Sequence, residues 1–277
     1  MQTLALSHGD TRLVVDGVDG AVVLFVHGMT YPLEVFGPLA AAVAASGRSA
    51  IRFDLYGRGR SGWDGTGLTA TVLAQQAREV LDAVRPRAAV HLVGLSNADL
   101  VLNAFAAAWP DRTRSLTWIA PSGIDPRTMR ASIRTLGRIP LVARLLGGRL
   151  RRQCAARMAS HRAHLPADAP PEAAAAYEAA LHTVQTSPHF AGAVASHLTC
   201  LPLPAQVQRD AEAVAGLPVL MLTFADESDA TEAGIAPLRA AVPGLHTVEV
   251  PRGTHMALIE RPDDLIPHLL QFLDASE

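Results

Sequence analysis

The sequence predicts an α/β protein: a mostly parallel, twisted sheet flanked by helices, with a helical insertion late in the chain. Three observations predict it. Unbroken apolar runs of strand length recur, helical periodicity separates them, and this alternation stops between about residues 123 and 216. The 277 residues suffice for one large domain with an inserted subdomain, or for two small domains. A composition of 49% hydrophobic and 18% charged residues supplies an ordinary globular core.

Residues 3–15 read as two short strands around a turn at His8-Gly9-Asp10. The run Ala21-Val22-Val23-Leu24-Phe25-Val26 is apolar throughout and ends in His27-Gly28, the pattern of a strand buried on both faces. Residues 32–46 suit a helix that starts near Pro32 and is closed by Gly47. A second interior strand covers 49–55, and 69–84 is helical with apolar Val72, Leu73, Val80 and Leu81. The strand at 89–95 runs straight into Ser96 and a helix to Trp109. Further strands are expected at 116–120, 218–224 and 246–250, and a last helix at 262–273. The intervening stretch carries Pro140, Pro166, Pro170-Pro171, Pro188, Pro202 and Pro204 between arginine- and alanine-rich segments of helical spacing. The expected organisation is a core of residues 1–123 and 217–277 and a helical cap of 124–216.

A net charge of −2 gives no electrostatic case for nucleic acid, which needs a clear basic excess. Every basic side chain apart from histidine is arginine; with abundant alanine this reflects the codons of a GC-rich bacterial genome. Cys154 and Cys200, the only cysteines, form neither a disulfide scaffold nor a zinc motif, and two free thiols are expected. The N-terminus lacks the basic start and long apolar run of a signal peptide or membrane span. The expectation is a cytoplasmic protein, monomer or homodimer, acting on a small molecule without a cofactor, a metal or a membrane.

The segment that carries chemistry is Gly94-Leu95-Ser96-Asn97-Ala98, between a buried strand and a helix. A serine on so tight a turn needs small residues two places before and after it, and its hydroxyl is lifted above the carboxyl ends of the strands. The following helix aims its positive end at the site, and the Asn97 N–H can donate to an oxyanion. The alternative is an ordinary strand-to-helix turn. Leu95 and Asp99 are candidates for contacting substrate; Asp99 equally suits a carboxylate placed in a helix first turn by the dipole.

This setting resembles the α/β-hydrolase superfamily, in particular its cap-bearing serine hydrolases: esterases, monoglyceride-lipase-like enzymes and C–C bond hydrolases. His27-Gly28-Met29 is similar to the family's His-Gly-x turn, whose third residue supplies the other oxyanion N–H. Asp54-Leu55-Tyr56-Gly57-Arg58-Gly59-Arg60-Ser61 resembles its Asp-x-x-Gly-x-Gly-x-Ser turn. Trp109-Pro110-Asp111-Arg112 and Ala120-Pro121-Ser122-Gly123 match segments before the cap; Pro251-Arg252-Gly253-Thr254-His255 and Glu260-Arg261-Pro262 match the histidine loop and its sequel. The resemblance implies an α/β-hydrolase fold in which Ser96 is the nucleophile and His255 the general base, in the chain order Ser, acid, His. His27 reads as a turn-packing residue in preference to a catalyst. The resemblance puts the acid after the strand at 218–224: ungapped counting from either side lands on Glu227, with Asp226 adjacent and Asp229 further along. Ala98, Asp99, Phe224 and Thr254 depart from the family's usual residues.

Between Arg127 and Arg162 the insertion carries ten arginines, read either as recognition of an anionic substrate or as a solvated helix face. His161 and His164 share a helix face without further ligands nearby. Ile139, Leu141, Val142, Leu145 and Leu146 could line an apolar pocket or pack the cap on the body. Three functions follow: hydrolysis of an ester, lactone or thioester; C–C hydrolysis, cyclisation, lyase or perhydrolase chemistry with the same machinery; or binding by a degenerate, non-catalytic relative.

Overall fold

A hairpin opens the chain, because β1 (Gln2–Leu6) and β2 (Gly9–Gly17) are joined by only two residues and pair antiparallel. β2 also runs antiparallel to β4 (Ser49–Phe53). From there every pairing is parallel, through β3 (Val22–Val26), β5 (Val90–Leu95), β6 (Thr113–Ile119), β7 (Val219–Phe224) and β8 (His246–Val250). The eight strands form one sheet in the order β1-β2-β4-β3-β5-β6-β7-β8. The computed structural model describes residues 1–121, 140–202, 204–226 and 232–277.

Helices α1 (Gly37–Ala45), α2 (Ala70–Val84) and α3 (Ala98–Ala108) connect the central strands. Between β6 and β7 come α4 (Pro140–Ala163), α5 (Pro171–Thr186), α6 (Phe190–Thr199) and α7 (Pro204–Ala213), the helical insertion. α8 (Glu232–Ala241) precedes β8, and the short α9 (Ala257–Glu260) and then α10 (Pro262–Asp274) follow it. The α-helix expected at 32–46 is divided: Leu33–Phe36 form a 3-10 turn and α1 begins at Gly37. Pro38 is the reason, since a residue without an N–H fits only a first helical turn. α8 was not among the expected elements. Pro237 lies inside it, but Ile235, Leu238 and Val242 are buried at helical spacing.

Successive strand residues point to opposite faces, and each face has its own core. Val22, Leu24 and Val26 pack with α2 and α3 residues such as Leu73, Val80, Val101 and Leu102. Val23 and Phe25 pack with Leu39 and Val43 of α1, Leu265 and Leu269 of α10, and Tyr177 of α5. Each fully buried aliphatic side chain contributes roughly 1.5–3 kcal/mol relative to an exposed one. β3 is accordingly apolar and buried at all five positions.

The strand order places function. From β3 the chain crosses to β4 on one side and then to β5 on the other, so a crevice opens where the two directions part. β3 and β5 are direct neighbours, with Val26 opposite Gly94. Their carboxyl ends therefore deliver His27-Gly28 and Ser96 to the same spot. No helix among the described residues is long and apolar enough to cross a membrane, and Cys154 and Cys200 are free thiols.

Candidate active site

Ser96 follows the last residue of β5 with φ 57°, the left-handed region that costs an L-residue roughly 1–2 kcal/mol. The strain is held by its surroundings. The Ser96 N–H donates to the Ile119 carbonyl at 2.9 Å, and the Asp99 N–H closes the turn on the Ser96 carbonyl at 3.1 Å. A Cβ on Gly94 would lie 2.9 Å from the Ala98 Cβ and 2.8 Å from Leu102 Cδ1. The methyl of Ala98 thus occupies the space that a glycine would leave open, and the departure at 98 fits because position 94 is glycine. From the opposite side, a Cβ on Gly28 would come within 3.1 Å of both the Leu95 carbonyl oxygen and the Ser96 Cβ. The turn at 27–29 is packed directly against the serine.

That turn is oriented by His27, which is buried. Its Nδ1–H donates to the Gly28 carbonyl at 2.7 Å, and its Nε2 accepts the Leu55 N–H at 2.9 Å. Both contacts together define one neutral tautomer. Burial pulls the imidazole down to about 3, with the nearby Arg58 charge acting in the same direction. The Gly28 carbonyl and the Met29 N–H belong to one trans peptide and point opposite ways. The bond from His27 therefore sets the direction of the Met29 N–H. His27 packs the turn, as expected, and also aims it.

The Asp54–Ser61 turn supports this arrangement from below. The Asp54 carboxylate is buried, which pushes it up to about 6. It accepts from the backbone N–H groups of Leu33 and Arg60, each at 2.9 Å, and from Arg12 at 3.3 Å. The Ser61 hydroxyl donates to the Asp54 carbonyl at 2.7 Å. Arg58, four residues on, is fully buried and among the described residues donates to neutral acceptors: the Met29 carbonyl at 3.2 Å, the Tyr56 carbonyl at 2.8 Å and His197 Nδ1 at 2.6 Å.

His255 stands half-buried in the turn between β8 and α9. Its loop is braced from two sides. Asp226, just past β7, accepts the Gly253 N–H at 3.3 Å. Glu260, buried in α9, accepts the Thr254 hydroxyl at 3.1 Å and the Tyr177 hydroxyl at 2.5 Å, which joins the loop to α5 of the insertion. Tyr31, close to the turn at 27–29, meets His161 of α4 at 3.0 Å.

The structure brings His27, Gly28, Met29, Leu95, Ser96 and Asn97 together at the ends of β3 and β5. Leu95 is buried in the apolar core shared with α1 and α10, while Asp99 is buried in the first turn of α3. Asp226 joins the histidine loop. Glu227 and Asp229 lie outside the described residues, as do Ser122, Gly123, Arg127 and Ile139, and the side chains of Leu141 to Leu146. The roles of Arg58, His197, Glu260 and Tyr177 were not anticipated. Arg58 stands inside a motif that the sequence displays, but its partner His197 is 139 residues away and carries no local signal. A cavity of about 910 Å³ opens between α1, α5 and α10, lined by Arg52, Asp168, Ala176, Glu260 and Arg261 among others. Neither Ser96 nor His255 lines it.

Fold and site define a class: the chain matches the alpha/beta hydrolase family over residues 23–267, and it belongs to that family. No curated protein matches it. Among solved structures it is similar to the enol-lactonase from Burkholderia xenovorans LB400, at 20% identity and TM-score 0.74, covering 99% of this chain and 100% of that one. It is also similar to a thermophilic esterase from Thermogutta terrifontis, at 18% identity and TM-score 0.78, covering 100% and 99%. A carboxylesterase of Nitrososphaera gargenis aligns at 17% identity and TM-score 0.74, covering 99% and 98%. At such identities the likeness is one of fold.

Proposed function

We propose that the protein is a serine hydrolase that cleaves an ester, lactone or thioester of a small to medium apolar substrate through an acyl-enzyme. The observation that carries this reading is the left-handed Ser96 with the Gly28 turn packed against it. A strained serine at the crevice, beside backbone N–H groups, is arranged for attack on a carbonyl.

In this mechanism Ser96 Oγ attacks the carbonyl carbon while His255 takes its proton. The Met29 and Asn97 N–H groups hold the oxyanion. Collapse expels the alcohol or thiol, which takes the proton from His255, and water then releases the acid by the same route. Glu227 is the acid that orients His255, with Asp226 second, because Asp226 already holds the Gly253 N–H. Asp99 and Leu95 border the acyl site, the helical insertion of residues 124–216 caps it, and no cofactor or metal takes part. The enol-lactonase and the esterases among the fold neighbours have activities of the same class by their names.

The test is turnover of a panel of p-nitrophenyl esters of increasing acyl length. The wild-type protein hydrolyses the short and medium esters, and Ser96→Ala lowers kcat by at least ~10⁴-fold with an unchanged melting temperature. Equal turnover by the variant would remove Ser96 from the chemistry.

A further inference from the structure

We propose that Arg58 is a positioning residue of the oxyanion turn, and that through His197 it ties the set of that turn to the helical insertion. The proposal rests on the serine-hydrolase reading above and adds a residue to it.

Three contacts carry it. Arg58 Nε holds the Met29 carbonyl, Nη1 holds the Tyr56 carbonyl and Nη2 reaches His197 Nδ1 on α6. His27 already holds the Gly28 carbonyl, so Arg58 pins the next peptide along. Two successive carbonyls of the turn are thus bound, which leaves Met29 little freedom to rotate its N–H. The guanidinium suits this task because its donors lie in a rigid plane and serve several acceptors at once.

The charge of Arg58 is as informative as its bonds. Asp54, in the same turn, is met by a basic side chain, whereas burial alone shifts Arg58, drawing the guanidinium down to about 9. No ion pair to Arg58 occurs among the described residues. The cation persists at neutral pH, and a buried charge that meets no counter-charge among the described residues is costly unless it serves something. A positive charge beside the Met29 peptide favours negative charge developing on the substrate oxygen.

His197 is the link to the insertion. Because Nδ1 accepts from Arg58, the proton of the neutral ring is on Nε2, and burial together with the Arg58 charge holds the ring well below its ordinary range. It is 3% exposed and lies in α6, so a displaced α6 would withdraw one of the three acceptors of Arg58. The insertion then acts on the rate of the reaction as well as on access to it.

Inactivation by a fluorophosphonate tests this, because phosphonylation of Ser96 builds negative charge on an oxygen in the same turn and needs no knowledge of the substrate. Saturation kinetics separate binding (KI) from the chemical step (kinact). Arg58→Met is expected to lower kinact by roughly 10- to 100-fold with KI within about twofold, less than the loss of a direct oxyanion donor. Arg58→Lys, which keeps the charge but not the fork, recovers part of that loss. His197→Phe lowers kinact by about 3- to 10-fold, and His197→Gln, whose side-chain oxygen can accept from Arg58, restores it. If Arg58→Met does not fold, the His197 pair decides the matter. Wild-type kinact in His197→Phe, or in a folded Arg58→Met, overturns the proposal. Absence of labelling in the wild-type protein would instead overturn the serine-hydrolase reading itself.

Discussion

The two halves of the site are built differently. The Ser96 half stands on β3 and β5, central strands buried on both faces; main chain and close approach hold the serine, and the His27 and Arg58 side chains bind the neighbouring turn. Gly28 touches Ser96, Gly94 leaves room for Ala98, and the strained φ at 96 is secured by bonds to Ile119 and Asp99. The histidine half lies beyond β7 and β8, where β8 is largely solvent-facing until Val250. There side chains do the holding: Asp226 on Gly253, and Glu260 between Thr254 and Tyr177. Backbone geometry admits few alternatives, whereas side-chain braces can be exchanged. Substitutions at the backbone positions of the first half should therefore act abruptly, and those at the loop braces of the second by degrees.

The largest contrast concerns the acid. Glu227→Gln is expected to lower kcat/KM for an ester substrate by ~10²–10⁴-fold, because an uncharged partner no longer stabilises the imidazolium. Asp226→Asn, which retains an oxygen for the Gly253 N–H, should cost less than tenfold. The reverse ranking would move the acid to 226 and make the second half as rigid as the first.

Stability sharpens the contrast. A Cβ at position 59, where φ is 54°, would lie 2.0 Å from the Asp54 carboxyl carbon. Gly59→Ala should cost ~3 kcal/mol or more in urea denaturation, by overpacking and strain together. At Ser96 the strain reverses the sign, and Ser96→Gly should stabilise the protein by roughly 1 kcal/mol while abolishing turnover. A destabilised Ser96→Gly would mean that the serine side chain contributes packing that offsets its strain.

The smallest effect is on pH dependence. Burial lowers His27 to about 3 and His91 to about 4, and it lowers His197 as well. Between those values and 6.5 the unfolded chain binds more protons, so stability is lost as pH falls through that window. Asp54, raised to about 6, acts oppositely: its burial costs stability as pH rises from 3.8. Three histidines outweigh one carboxyl. His91 lies on β5 away from the serine, its Nδ1 against Ser115 Oγ at 2.8 Å. His91→Gln should flatten the stability–pH curve between pH 6.5 and 4 by up to about 1.4 kcal/mol per pH unit. An unchanged slope would mean that His91 is not held neutral by burial.

The same division governs what the sequence made legible. The Ser96 half is local: apolar runs mark β3 and β5, and the residues at their ends follow within five positions. The parallel sheet and the elbow could be read directly. Where contacts are long-range, reading stopped. Nothing near His197 announces that it meets Arg58, and Glu260 is visible only as a residue following His255, not as the anchor of Tyr177. α8 was missed because Pro237 obscures a pattern that Ile235 and Leu238 nonetheless complete.

The central claim is that the Ser96 hydroxyl forms a covalent bond to an acyl or phosphonyl group. The most direct measurement is peptide mapping by mass spectrometry after treatment with a fluorophosphonate. The account predicts a single adduct on Ser96, formed far more slowly in His255→Gln and absent in Ser96→Ala. An intact, folded protein that carries no adduct, or carries it on another residue, would contradict it.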